Sequence, residues 1–228
     1  MTVLAVDVLH GPSHDMLRSE NREVILRRIR QGEVSGVWLG TPCTSMTRAR
    51  RGKPGSGWPA PLRSAASPDG LSDLPDRDRS KVETGNALAA FSARVIVACV
   101  RRGVPVAVEN PGSSFLWLTS WFTRLAAVHP PSEVVLDYCS LGTPWRKRTK
   151  LRSWHLDLSG IGSKCSSSHG LCSFTGRKHL VLEGRAPDGR FWTVVAQPYP
   201  KDFCRMVAKR FIAEWQNHVL ERLWAASC

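Results

Sequence analysis

The chain has 228 residues, enough for one domain of ordinary size with a small appendage, and at 42% hydrophobic it can bury a core. Lys and Arg number 32 against 19 Asp and Glu, a formal charge of +13 that favours polyanions, nucleic acid first, over small acidic metabolites. No apolar run approaches the roughly 18 residues of a membrane span, no basic-then-apolar leader opens the chain, and seven cysteines form an odd, scattered set. No membrane association is expected, and the compartment expected is intracellular and reducing, nuclear in a eukaryote, rather than one that supports a disulfide framework.

In chain order, residues 3–8 form a short apolar run that reads as a buried strand with Asp7 at its end, followed by a Gly-Pro turn. Residues 19–30 carry Val24, Ile25, Leu26 and Ile29 at helical spacing, with Ser19 placed as N-cap. Residues 34–39 form the next strand. Residues 41–81, rich in Pro, Gly, Ser and Arg, read as a long loop of functional or disordered character. A helix is expected over 86–102, with Asn86 at its start, and a Gly103 turn leads into a strand at 104–109. Further expectations are a helix over 113–127, strands at 133–138 and 149–156, two short strand-like runs within 159–197, and a closing amphipathic helix over 201–224.

Two strand ends carry chemistry. Gly40-Thr41-Pro42-Cys43 sets a cysteine at the carboxyl end of one strand, where ligands collect in open α/β sheets, and Glu109 ends another. Such a pair can act as nucleophile and proton donor. Each alone reads equally well as a buried thiol or a helix-capping Glu-Asn-Pro. Arg48, Arg50, Arg51 and Lys53 follow Cys43, and Arg146, Lys147, Arg148, Lys150 and Arg152 form a second basic cluster. Both suit phosphates, and simple solubility explains them too. Cys165, Cys172 and His179 recur with six residues between successive members, and Cys139 lies at the mouth of the strand before them. Together they can make a tetrahedral structural zinc site, against the alternative of free thiols and a surface histidine. Cys99, Cys204 and Cys228 read as packing or exposed thiols.

The order Gly40-Thr41-Pro42-Cys43, then Val108-Glu109-Asn110-Pro111, then Tyr138-x-x-Leu141-Gly142-Thr143-Pro144-Trp145-Arg146-Lys147-Arg148 resembles the DNA cytosine-5 methyltransferases, across residues 3–152. The resemblance implies a Rossmann-like α/β sheet that uses S-adenosylmethionine and transfers its methyl group to cytosine C5. Cys43 would add to C6 of a flipped-out cytosine, helped by the basic loop beside it, and Glu109, kept protonated by partial burial, would quench charge at N3. Arg146 and Arg148 would steady the base. The loop bearing Arg48, Arg50, Arg51 and Lys53 would close over phosphates, with Lys147 a further nucleic-acid contact.

For the cofactor, the resemblance places Asp7 on the ribose, Asp15 near the adenine and Pro42 on the cofactor side. Trp145 departs from the family, which has glutamine after the proline, and strict alignment from Pro144 would put Lys147 and Thr149 at the family's arginine positions. Too few residues separate Asp7 from Cys43 for two further βα units, and no Gly-x-Gly follows Asp7. The expectation is therefore a sheet without its first strand, with 3–8 beside 34–39 and weak S-adenosylmethionine binding. The expected division is a methyltransferase-like core at 1–157, a small Cys/His-rich region at 158–198, and a helix at 199–228 returning to the core. The main alternative is a non-catalytic nucleic-acid-binding module, associated with a mobile element. A cysteine hydrolase would need a histidine base, and no histidine falls at a strand end beside Cys43.

Overall fold

The computed structural model describes residues 2–52, 59–167 and 169–227. They form two compact units, Met1–Pro131 and Ser132–Cys228. Helices and strands of mixed sense make the chain α/β.

The first unit contains α1 (Ser19–Arg30), β1 (Val37–Gly40), α2 (Asp76–Arg101), β2 (Val106–Pro111), a 3-10 turn at Phe115–Leu118, and α3 (Ser120–Val128). β1 and β2 pair in parallel, Val37 opposite Val106 through Gly40 opposite Glu109. Val106, Ala107 and Val108 are wholly buried, the continuous apolar run expected of a parallel strand covered on both faces. α2 supplies much of the cover. Val82, Gly85, Ala89, Ser92, Ala93, Ile96 and Cys99 recur at three- and four-residue steps and are all buried. By length and composition α2 is apolar enough to cross a membrane, but this buried stripe is the pattern of a core helix.

α2 begins ten residues earlier than the sequence pattern suggests, so Asn86 lies inside it and is no helix start. The polar opening turns of α2 hid it, because Asp76, Arg77, Asp78 and Arg79 carry no apolar period. In the described part of the loop before α2, Arg63 is only 2% exposed and joins separated segments. Its guanidinium donates to Ser45 O (3.0 Å), Ser45 Oγ (3.1 Å), Pro68 O (2.8 Å), Val82 O (3.2 Å) and Asn86 Oδ1 (2.8 Å). Burial pulls the Arg63 pKa below its ordinary value, with partial relief from Asp69.

Gly85 sits against this network. A Cβ there would collide with Ser45 Oγ and lie 3.1 Å from Arg63 Nη2. Gly→Ala inside a helix ordinarily stabilises by about 1 kcal/mol. Gly85→Ala is expected to lower the thermal midpoint instead, and a raised midpoint would show that the loop yields at no cost.

Residues 3–7 correct the sequence reading. They form no strand, and Val3, Leu4 and Val6 are 83%, 56% and 39% exposed. A 3-10 turn at Val8–His10 follows. β1 has β2 as its partner, so the expected pairing of 3–8 with 34–39 does not occur. An apolar run specifies burial only when another surface covers it, and none in the described residues covers this one. α1 is capped by Arg18 rather than by Ser19, which is its first helical residue.

The second unit contains β3 (Ser132–Asp137), a 3-10 turn at Tyr138–Leu141, β4 (Arg148–Trp154), a single helical turn α4 (Trp192–Val195) and α5 (Lys201–Ser227). β3 and β4 are antiparallel, Ser132 opposite Ser153 through Asp137 opposite Arg148. Leu136, Tyr138, Leu151 and Phe203 are buried, with the Tyr138 and Phe203 rings 5.6 Å apart. The two runs within 159–197 shrink to isolated bridges, Leu171 with Lys178 and Arg185 with Phe191. Compactness groups β3 and β4 with the Cys/His segment, whereas the sequence pattern groups them with the residues before them.

Candidate functional sites

The register of β1 and β2 sets Gly40 opposite Glu109, so the turn bearing Cys43 and the carboxylate leave the same edge of the parallel pair. Asn110, 1% exposed, donates to Thr41 O at 2.6 Å and ties the two strand ends together. Thr41 Oγ1 and Ser92 Oγ share a hydrogen bond of 2.9 Å, fastening the turn to α2. Beyond Cys43, Met46 N donates to Cys43 O (2.9 Å), and Met46 O accepts from Phe115 N (2.8 Å). Cys43 thus stands half-buried between two anchored residues, outside any disulfide. Pro42 beside it is exposed, and Glu109 is 7% exposed. A thiol and a buried carboxyl on adjoining strand ends can add to, and protonate, an electrophilic ring.

The basic loop is less free than its composition suggests. Arg50 Nε donates to Ala60 O (2.8 Å), with Nη2 3.8 Å from Asp78, and Arg51 Nε donates to Arg48 O (3.2 Å). Arg48 lies over the Phe115 ring at 4.8 Å. Arg48 and Arg51 remain exposed, while Lys53 lies outside the described residues.

The acidic residues placed on the cofactor need correction. Asp7 accepts from Leu9 N (2.9 Å) and caps the 3-10 turn, and Asp15 accepts from Leu17 N (2.9 Å) in the same manner. Neither ends a strand. Both carboxylates satisfy local backbone, as Asp does in turns. Asp7 therefore lacks the strand end from which the resemblance would have it grip a ribose.

In the second unit Cys139, Cys165, Cys172 and His179 converge, with all four ligand atoms within 4.8 Å of one another. Cys139 sits on the 3-10 turn after β3. Cys172 and His179 flank a small hairpin closed by Cys172 N to Arg177 O and Gly176 N to Cys172 O, both 2.8 Å, in which Gly176 takes φ +66°. The Cys165 and Cys172 sulfurs are 4.0 Å apart, twice the disulfide bond length of about 2.05 Å. Cys165 Sγ lies 3.7 Å from His179 Nε2. A tetrahedral zinc at ordinary bond lengths would set sulfurs about 3.8 Å apart and sulfur to nitrogen about 3.6 Å. The cluster therefore can hold a metal ion with little movement.

Two of the three thiols are held towards the thiolate form, and Cys139 is held away from it. Burial, then the neighbouring thiols of Cys172 and Cys165, push the Cys139 thiol up to about 12. Burial also works against the Cys172 thiolate, but hydrogen bonds from the Thr175 side chain and the backbone of Phe174 and Thr175 bring that thiol down to about 6. The Ser173 hydroxyl, and then its backbone N–H, lower Cys165, each donating to Sγ at 3.4 Å. Donors arranged around sulfur are what metal-bound thiolates require. Cys99 is also pushed up to about 12, by burial alone, and it lies on α2 outside the converging group, so it is a packing thiol.

Arg146 and Arg148 face one side, as their alternation implies, and what they meet is Asp137. Arg148 Nε and Nη2 donate to Asp137 Oδ1 and Oδ2 at 3.0 and 2.9 Å, and Arg146 Nε reaches Oδ2 at 3.3 Å. Burial would raise the Asp137 pKa, yet bonds from the Arg148 side chain, Cys165 N and Arg146 outweigh it and hold the carboxyl below its ordinary value. Lys147 donates to Ala196 O (2.8 Å) and lies 5.3 Å from the Tyr138 ring centre, a packing role more than a nucleic-acid one. Sequence reasoning overlooked Asp137 and Arg63, and took Asn86 for a helix start. The one signal pointing to Asp137 was a carboxylate ending an apolar run shortly before an Arg-x-Arg.

Comparison of the chain with family models, with curated proteins and with solved structures finds no match.

Proposed function

We propose that the chain acts on cytosine in nucleic acid, in the manner of a DNA cytosine-5 methyltransferase, with Cys43 as nucleophile and Glu109 as proton donor. The observation that carries the reading is the Gly40–Glu109 register together with the Asn110 bond to Thr41, which delivers both groups to one strand edge. In the first step the Cys43 thiolate forms a bond to C6, and the C5–C6 π electrons move into the ring. Glu109 gives its proton to N3, leaving an enamine that is nucleophilic at C5. In the family that the motif order resembles, S-adenosylmethionine supplies the methyl group. Asp7 and Asp15 each give one carboxylate oxygen to a backbone N–H of their own turn.

A nucleic acid containing 5-azacytosine tests the first step. Addition at C6 then puts a proton on ring nitrogen N5, and the adduct persists long enough for mass spectrometry. The adduct should map to Cys43. An equally strong adduct at another cysteine would sink the assignment.

A second reading, a non-catalytic nucleic-acid-binding module, is favoured by the engagement of Asp7 and Asp15 in local turns and by the exposed Arg48 and Arg51. Changing Arg48, Arg50 and Arg51 to Ala should flatten the log–log salt dependence of binding by up to about one unit for each phosphate no longer neutralised. An unchanged slope assigns the loop to solubility. In both readings the Cys139, Cys165, Cys172 and His179 cluster holds zinc in a structural role, because four protein ligands of this type close the site and leave no position for substrate.

A further inference from the structure

One buried carboxylate joins the metal cluster to the arginine pair. Asp137, at 0% exposure, accepts from Cys165 N at 2.8 Å on Oδ2, the oxygen that also takes Arg148 Nη2 and Arg146 Nε. Arg146 Nη2 in turn donates to Cys165 O at 3.2 Å. The peptide of a cluster cysteine is therefore held at its N–H by the carboxylate and at its C=O by one of the guanidinium groups. Cys139 lies two residues beyond Asp137. Ser140 Oγ closes the frame by donating to Asp137 O (2.8 Å) while accepting from Ser163 N (3.1 Å).

Both guanidinium groups present their outer edge. Each uses Nε and Nη2 inward, and neither Nη1 has a partner among the described residues, with side chains 40% and 45% exposed. A phosphate oxygen suits that edge. We infer that a metal ion bound by Cys139, Cys165, Cys172 and His179 fixes Arg146 and Arg148 for phosphate contact, with Asp137 as the positioning residue between them. The inference rests on the nucleic-acid reading and adds the regulation of its second basic surface. Metal loading sets Cys165, Cys165 sets Asp137, and Asp137 sets the pair. Coupling of this kind is reciprocal, so nucleic acid must tighten the metal by the factor by which the metal tightens nucleic acid.

The experiment is a zinc titration against a chromophoric competing chelator, on the full chain, with and without a short DNA duplex at low salt. The wild type should bind zinc several-fold more tightly when the duplex is bound. Arg146→Ala with Arg148→Ala should bind zinc equally in both conditions. Asp137→Asn should give the tetrahedral thiolate bands of a cobalt-loaded site and show no coupling. Equal zinc affinity with and without bound duplex in the wild type overturns the inference, as does coupling that survives in either variant. A duplex that fails to bind the wild type removes the nucleic-acid reading itself, and the inference with it.

Discussion

DNA labelled with tritium at cytosine C5 should release that label to water when incubated with the wild-type chain, without any methyl donor. Once Cys43 has added to C6 and N3 has been protonated, C5 is nucleophilic and takes a proton from solvent. Loss of the original hydrogen and expulsion of the thiolate then restore the base, so atoms and charge balance with water as the only exchange partner. Cys43→Ser should bring release to background, because a serine hydroxyl is far less ionised than a thiol at neutral pH. Glu109→Gln should leave the nucleophile in place and remove the proton donor, lowering release by about 10²–10⁴-fold, the usual contribution of a positioned acid.

Asn110→Ala probes the geometry. It deletes the 2.6 Å bond that ties the Cys43 turn to β2 and leaves both reacting groups intact. The expected outcome is a drop in release at temperatures where the variant stays folded, together with a lowered thermal midpoint, because Thr41 O loses its buried donor. Release by Cys43→Ser at the wild-type rate would end the proposal that this thiol is the nucleophile.

The second large effect is metal removal. Protein purified without chelator should carry about one zinc per chain, as four converging ligands imply. Cobalt substitution should give thiolate charge-transfer bands. Structural zinc contributes about 10–16 kcal/mol of binding energy in small finger peptides at neutral pH. The described residues of 155–191 pair only at two isolated bridges, with Leu156, Leu158 and Ile161 buried at the start of the segment. Chelation, or Cys172→Ser, should open this segment to protease. The β3–β4 hairpin, with Leu136, Tyr138 and Leu151 buried, keeps a core of its own and should resist longer. Elemental analysis that finds no zinc, with protection unchanged by chelator, would assign the cluster to packing.

Much of the architecture was legible because it rests on local chemistry. The stripe on α2, the apolar run of β2, and the Gly103 turn between them follow from side-chain period alone. The grouping of Cys139, Cys165, Cys172 and His179 was also readable as one candidate metal set, beside the alternative of free thiols and a surface histidine, and the fold brings the four together. Where the sequence misled, the cause was context. Residues 3–8 have strand composition, yet a strand needs a partner and a cover. Asp7 and Asp15 match acidic positions of a cofactor site, yet a carboxylate two residues before a backbone N–H satisfies that donor first. Arg63 carries no signal at all, because a charge buried among neutral acceptors looks like any loop arginine in one dimension.

The sequence by itself pointed to the α/β class, the candidate nucleophile and acid, the basic clusters and the four candidate metal ligands, all of which are properties of residue type and spacing. Tertiary structure alone decided three things. The β1–β2 register brings Gly40 opposite Glu109, and Asn110 locks the Cys43 turn. Arg63 ties Ser45 to Asn86 on α2 across a loop of weak local preference. Asp137 gathers Arg146, Arg148 and Cys165 from separated positions onto one carboxylate. Each is a long-range hydrogen-bonded pairing, and its energy depends on the burial of donors and acceptors that only the folded chain brings together.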